Sequence, residues 1–310
     1  MRFKQVANIF LQAFEIPVLL ISSCKEREEQ FISDNEALVP HRISTIRVEN
    51  YVNRVFIDLI GRSPIPEELQ AGVDLLRSDD LSFDVRSQLV RNLQEDTTFR
   101  EGDISYKDKY YQRIYDIIKS RMVEGAADVE FSRYVGLANN AIFRGRLVGD
   151  SIQVFAGLLQ KQRNQRVIDS RTQFMNGEID INEVFARMLD NNVYDVINMN
   201  TFNFVNASFD DLFYRFPTQK EFDIAYRIIQ NNEVGALFGG FASNKREYSL
   251  LLCNSAEFYE GLINWAYLSL MGREPTTQEM FNQYDDLRQS GNFPDLQHAI
   301  MVTDEYADFF

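Results

Sequence analysis

Apolar residues recur at helical spacing through most of the chain, and the clearest stretch is 51–69, YVNRVFIDLIGRSPIPEEL. Val52, Phe56 and Leu59 fall at i, i+4 and i+7, which makes one stripe of a helix with a core to face. Gly61 then stands where a helix ends in a left-handed residue, and Pro64 prevents continuation. Pro66 opens a second helix at the position where a missing N–H costs least. The stretch predicts helix, tight turn, helix.

Two further stretches repeat it without gaps, 204–222 (FVNASFDDLFYRFPTQKEF) and 262–280 (LINWAYLSLMGREPTTQEM). The copies match at Val52/Val205/Ile263, Asn53/Asn206/Asn264, Phe56/Phe209/Tyr267, Leu59/Leu212/Leu270, Arg62/Arg215/Arg273, Pro64/Pro217/Pro275 and Glu68/Glu221/Glu279. Thr218 with Glu221, and Thr276 with Glu279, have the spacing of a capping box. A guanidinium in this turn can donate to carbonyls left unpaired at the first helix's end and pair with the nearby glutamate. Arg62, Arg215, Arg273, Glu68, Glu221 and Glu279 are therefore expected to be structural turn residues. The repeated asparagines are expected to hydrogen-bond between helices. Each module closes on an apolar residue six before an aromatic, in 93–99 (LQEDTTF), 252–258 (LCNSAEF) and 300–306 (IMVTDEY). The aromatic is expected to be the peg that locks the last helix onto the first.

Residues 106–200 keep helical periodicity with few breakers: Tyr110, Ile114, Ile117 and Ile118 form one stripe, and Ile152, Phe155, Leu158 and Leu159 another. No strand-like stretch is bounded by turn signals, and Gly239 with Gly240 reads as a mobile loop within the second module. The expected fold is all-α, with tandem helix-turn-helix modules at 47–102, 200–259 and 260–310 around a central helical segment at 103–199.

The chain has 310 residues and a formal net charge of −14. That balance argues against nucleic acid, whose phosphates need clustered Lys and Arg. The basic run Lys161, Arg163, Arg166 and Arg171 is expected to be a solvated helix face. Arg2 and Lys4 precede a largely apolar segment ending in Val18, Leu19, Leu20, Ile21, Ser22, Ser23 and Cys24. This resembles a bacterial lipoprotein signal, with residues 1–23 removed and Cys24 acylated. The segment is too short and polar to span a membrane. Lys25 to Glu29 resembles the surface-export run that follows the lipidated cysteine in some bacteria, and 24–46 reads as a flexible tether. With Cys24 acylated, Cys253 has no disulfide partner and is expected in the core.

Little in the sequence selects a reaction. Asn176, Gly177, Ile179, Asp180 and Glu183 match the latter half of an EF-hand loop, but Thr172 and Phe174 stand where the first carboxylates belong. A glycine turn before an acidic helix start is the favoured reading. His41 and His298 have no second His or Cys nearby, and no Walker loop, GxSxG elbow or dinucleotide fingerprint occurs. No catalytic residue, metal or cofactor is assigned.

Residues 54–68, RVFIDLIGRSPIPEE, resemble the RVxLDLxGxPPTPEE motif of cytochrome-c-associated bacterial domains of unknown function, whose members also carry segments like LLCNSAEF at 251–258 and a GRxPT turn. That resemblance implies a helical envelope protein. With no CxxCH, it carries over no covalent haem. A second likeness is to the phycobilisome linker domain, through SRTQFMNGEIDINEVFAR at 170–187 and the turn that follows, and implies a helical module docking onto proteins.

The expectation is a non-enzymatic, lipid-anchored scaffold of the bacterial cell envelope, an outer-membrane lipoprotein binding envelope or secretion proteins. A soluble linker-type assembly protein and a glycan hydrolase using a carboxylate pair stand as alternatives. A cleft with two facing carboxylates of raised pKa would favour the hydrolase, and an exposed apolar or aromatic surface the scaffold.

Overall fold

Ser44 caps the first helix, accepting from the Arg47 amide at 3.4 Å, and α1 (Thr45–Ile60) ends at Gly61 with φ 79°. It buries Val52, Phe56 and Leu59 on the expected stripe. In this computed structural model residues 43–100 and 103–310 are described; the expected signal, Cys24, His41 and the tether up to residue 42 lie outside them. The module continues with α2 (Pro66–Arg77) and α3 (Phe83–Glu95). The second module is α9 (Thr201–Phe213), α10 (Gln219–Asn231) and α11 (Lys245–Cys253). The third is α12 (Ala256–Met271), α13 (Thr277–Ser290), α14 (Phe293–Met301) and the short α15 (Asp304–Ala307). The fold is all-α, as the periodicity predicted.

One correction falls in the second module. Strands β1 (Gly235–Leu237) and β2 (Gly240–Ala242) pair antiparallel where a mobile loop was expected. Phe238 and Gly239 both take positive φ, 49° and 78°, the two-residue turn whose twist suits a hairpin. Leu237 and Ala242 are buried, which pins the hairpin to the body.

The central segment supplies α4 (Tyr106–Met122), α5 (Asp128–Val148), α6 (Ser151–Met175), α7 (Ile181–Leu189) and α8 (Asn192–Asn198). Tyr110, Ile114 and Ile118 are buried as their stripe predicted, and α7 is buried all round. By contrast α5 and α6 form a long antiparallel hairpin. They touch closely at Gly157, where a Cβ would come within 2.7 Å of Ile142. The second apolar stripe then faces water: Ile152 is 81% exposed and Phe155 64%. Its periodicity was helical, but α5 covers the opposite side of α6.

The modules are not strung out in a line. Gly261 of α12 lies against the Leu212 carbonyl of α9, so the third module packs on the second. The third also packs on the first: the Tyr51 hydroxyl donates to the Met301 carbonyl at 3.1 Å, and the Gln94 amide to Pro294 at 2.9 Å. Cys253 is buried and free, and burial pushes its thiol pKa well up.

Candidate functional site

Each repeated arginine forms a two-pronged ion pair with its glutamate six residues on. Arg62 reaches Glu68 at 2.7 and 2.8 Å, Arg215 reaches Glu221 at 3.0 and 2.8 Å, and Arg273 reaches Glu279 at 2.9 and 2.8 Å. The same carboxylates accept the amides of Ile65, Thr218 and Thr276 at 2.7 to 2.9 Å, so one glutamate fixes both the arginine and the next helix's start. Thr218 and Thr276 return the bond to complete the box; Ile65 has no acceptor to do so. Burial opposes charge on Glu68, but bonds from Arg62, Tyr106 and the Ile65 amide outweigh it and hold its pKa down to about 2. Arg215 and Arg273 hold Glu221 and Glu279 down to about 2 as well.

The expected donation to the first helix's terminal carbonyls goes elsewhere. Each repeated arginine donates instead to the carbonyl one residue on, Ser63, Phe216 or Glu274. In the second and third copies terminal carbonyls are met by arginines from other helices. Arg121 of α4 donates to the Asp211 carbonyl and Arg54 of α1 to that of Leu270. In the second copy Tyr214 takes the left-handed position that Gly61 and Gly272 hold, with φ 56°, and Arg121 lies 4.2 Å over its ring. The repeated asparagines also bond locally: Asn53 and Asn206 donate to carbonyls of Glu49 and Phe202 in their own helices.

The closing motifs carry a feature that their aromatics concealed. The residue before the aromatic, Glu257 or Glu305, gives Arg215 or Arg273 a second carboxylate, at 2.8 Å and 2.6 Å. The first module has Thr98 there, and its Arg62 turns to Asp103 at 3.8 Å. Phe258 and Tyr306 are buried, Phe258 against the Phe185 ring of α7, but Phe99 is 77% exposed. Tyr306 reaches beyond its own module: its ring meets Tyr51 edge-on and stacks under Arg54, both on α1.

Other candidate residues resolve as structure. Three members of the run expected to be a solvated face are engaged by the body instead: Arg163 bridges Asp190 and Asp195 at 2.8 and 2.9 Å, Arg166 also holds Asp190, and Arg171 bonds Gln112. Nothing in a helical period tells a solvated arginine from one facing acids on a later helix. Around Gly177, Asp180 precedes α7, and Glu183 is taken by Arg187 and Arg246 at 2.7 and 2.5 Å. Among the described residues no group of three His, Cys, Asp or Glu is placed to hold a metal. His298, which had no sequence partner, accepts from or donates to Ser87 at 2.8 Å, yet nearby Asp295 is held by Arg91.

A 460 Å³ groove between α2, α3 and α4 contains Glu68 and Asp96. Hydrogen bonds from Thr98 and Arg100 hold Asp96 down to about 2, so both carboxylates are firmly ionised. The carboxylates raised by burial, Asp58 and Asp211, sit apart from it beside Tyr306 and Tyr194. An exposed apolar surface does exist, on the α5–α6 hairpin. Phe143, Leu147, Val148, Ile152 and Phe155 crowd its tip, each more than 60% exposed.

No family model matches the chain, and neither does any curated protein or solved structure.

Proposed function

We propose that the chain is a non-enzymatic scaffold of the bacterial cell envelope, tethered through an acylated Cys24, that docks other envelope or secretion proteins with its α5–α6 hairpin. The apolar tip carries this reading. Isolated exposed apolar residues are ordinary, but five large ones clustered at the end of a projecting hairpin are the mark of a docking surface. The packing of the body supports it: Tyr51 on Met301, Gln94 on Pro294 and Gly261 on Leu212 bring the three modules together behind the hairpin. The carboxylates of the α2–α4 groove support it too, since a general acid needs a raised pKa and these two are lowered. The likeness to linker and envelope domains agrees with a docking role.

The test is affinity purification of the detergent-extracted full chain, with mass spectrometry of what accompanies it. Specific envelope proteins are expected with the wild type and lost with Ile152→Asp plus Phe155→Asp. Cys24→Ala is expected to move the chain out of the membrane fraction. Recovery of the chain alone, with turnover of a cell-wall or capsular glycan that an acidic-residue variant abolishes, would overturn the reading in favour of a hydrolase.

A further inference from the structure

Within the exposed surface, α5 shows an order that suggests its occupant. Val129, Gly136 and Phe143 follow one another at intervals of seven residues on the side of α5 away from its contact with α6, and Leu147 extends the line. Seven residues are two helical turns, about 10.5 Å, so the line is symmetric about Gly136. Gly136 has no internal explanation. It lies mid-helix, where glycine lowers helix stability, and a Cβ there would meet nothing within 4 Å. Gly145 and Gly157, by contrast, are filled by the α5–α6 contact.

We infer that the occupant is a second copy of this chain: two hairpins pair through antiparallel α5 helices about a two-fold axis at Gly136, with each α6 on the outer side. The inference rests on the docking role proposed for the hairpin and adds a second copy of the chain as the occupant of its α5 face. Antiparallel pairing about Gly136 sets Phe143 of each copy over Val129 of the other, and the absent side chain lets the helices approach at the centre.

Charge agrees with this register. At the base of α5 Asp128 is held by Lys119 at 2.9 Å, which leaves Glu130 as the acidic group, and the end is basic, with Arg144 and Arg146. Glu130 is met only loosely by Arg133 at 3.5 Å, and Arg144 has no ion pair among the described residues. The same pairing that superposes Phe143 on Val129 brings Arg144 of each copy to the Glu130 turn of the other. Val129, Phe143 and Leu147 are 63–69% exposed along this face.

Sedimentation of the full chain over a dilution series tests the inference. The wild type is expected to run as a dimer that dissociates on dilution. Gly136→Leu, which suits an open helical site in the monomer, is expected to leave it monomeric throughout with undiminished thermal stability, and Leu147→Asp to do the same with unchanged circular dichroism. Arg144→Glu should raise the dissociation constant about two- to fivefold, and Glu130→Arg in the same chain should restore it. A wild type that stays monomeric, or a dimer that neither Gly136→Leu nor Leu147→Asp disturbs, would overturn the inference. So would a monomer that sediments with anionic phosphatidylglycerol vesicles and loses them with Leu147→Asp, which would assign the surface to lipid. A monomeric wild type that still captures envelope proteins through the hairpin would leave the scaffold reading standing without self-association.

Discussion

Tyr306 donates its hydroxyl to Asp58 at 2.7 Å across 248 residues of sequence, tying the last helix of the third module to the first helix of the first. The same tyrosine's carbonyl accepts from Arg54 at 2.8 Å, and the guanidinium lies 4.1 Å over its ring. Burial raises the pKa of Asp58, and the Tyr306 hydroxyl and Arg54 work against that shift. Tyr306→Phe keeps the ring and leaves the carboxylate one partner short. We expect a loss of about 1–2 kcal/mol in urea unfolding, and unchanged stability would show that this contact does not hold the modules together.

Two arginine substitutions separate the turn from the helix ends. Arg273 is about one-third exposed and serves two carboxylates and a turn carbonyl, so Arg273→Ala should cost about 1 kcal/mol. Arg121 meets the end of α9 at the Asp211 carbonyl, and Arg121→Ala should cost about 2–3 kcal/mol. Chemical denaturation of the two variants side by side checks the order, and a larger loss at Arg273 would make the repeated turn the principal brace.

Acid should remove the turn pairs together. Glu68, Glu221 and Glu279 titrate near 2 in the folded chain against an ordinary 4.5. A lowered carboxylate contributes stability that is complete above its unfolded pKa and is lost as pH falls through the folded one, here from about 4.5 down to about 2. With solvent screening each pair is worth about 0.5–1 kcal/mol. Melting temperature measured across that window should fall more steeply in the wild type than in a variant with all three changed to Gln; parallel curves would contradict the account.

Asp211 has the opposite sign. Burial pushes its carboxyl up to about 6 from 3.8, against the Tyr194 hydroxyl 2.7 Å away and the charge of Arg121. The folded chain therefore holds a proton that the unfolded chain has released, and stability falls as pH rises through that range. Asp211→Asn should gain about 1–2 kcal/mol above pH 6 and nothing below pH 4. A gain independent of pH would assign the effect to packing.

Much of this architecture was already legible in the chain. The i, i+4, i+7 spacing of Val52, Phe56 and Leu59, the stop at Gly61 and Pro64, and the capping boxes at Thr218 and Thr276 are local, and each element formed where its own residues specify it. The pairing of each repeated arginine with its glutamate was legible for the same reason, since both lie within one turn. Choices of partner at long range were not. Whether Ile152 and Phe155 face a core or water depends on which side of α6 the α5 helix covers, and a helical period is the same either way. Phe99 and Tyr306 occupy matching places in their motifs, yet only Tyr306 meets another module's helix. Arg163 and Arg166 looked solvated because their acids lie just past the end of α7 and on α8, more than twenty residues on. Sequence fixes periodicity and local hydrogen bonding. Tertiary packing decides which surfaces find a partner, because that depends on contacts between segments whose separation no local pattern records.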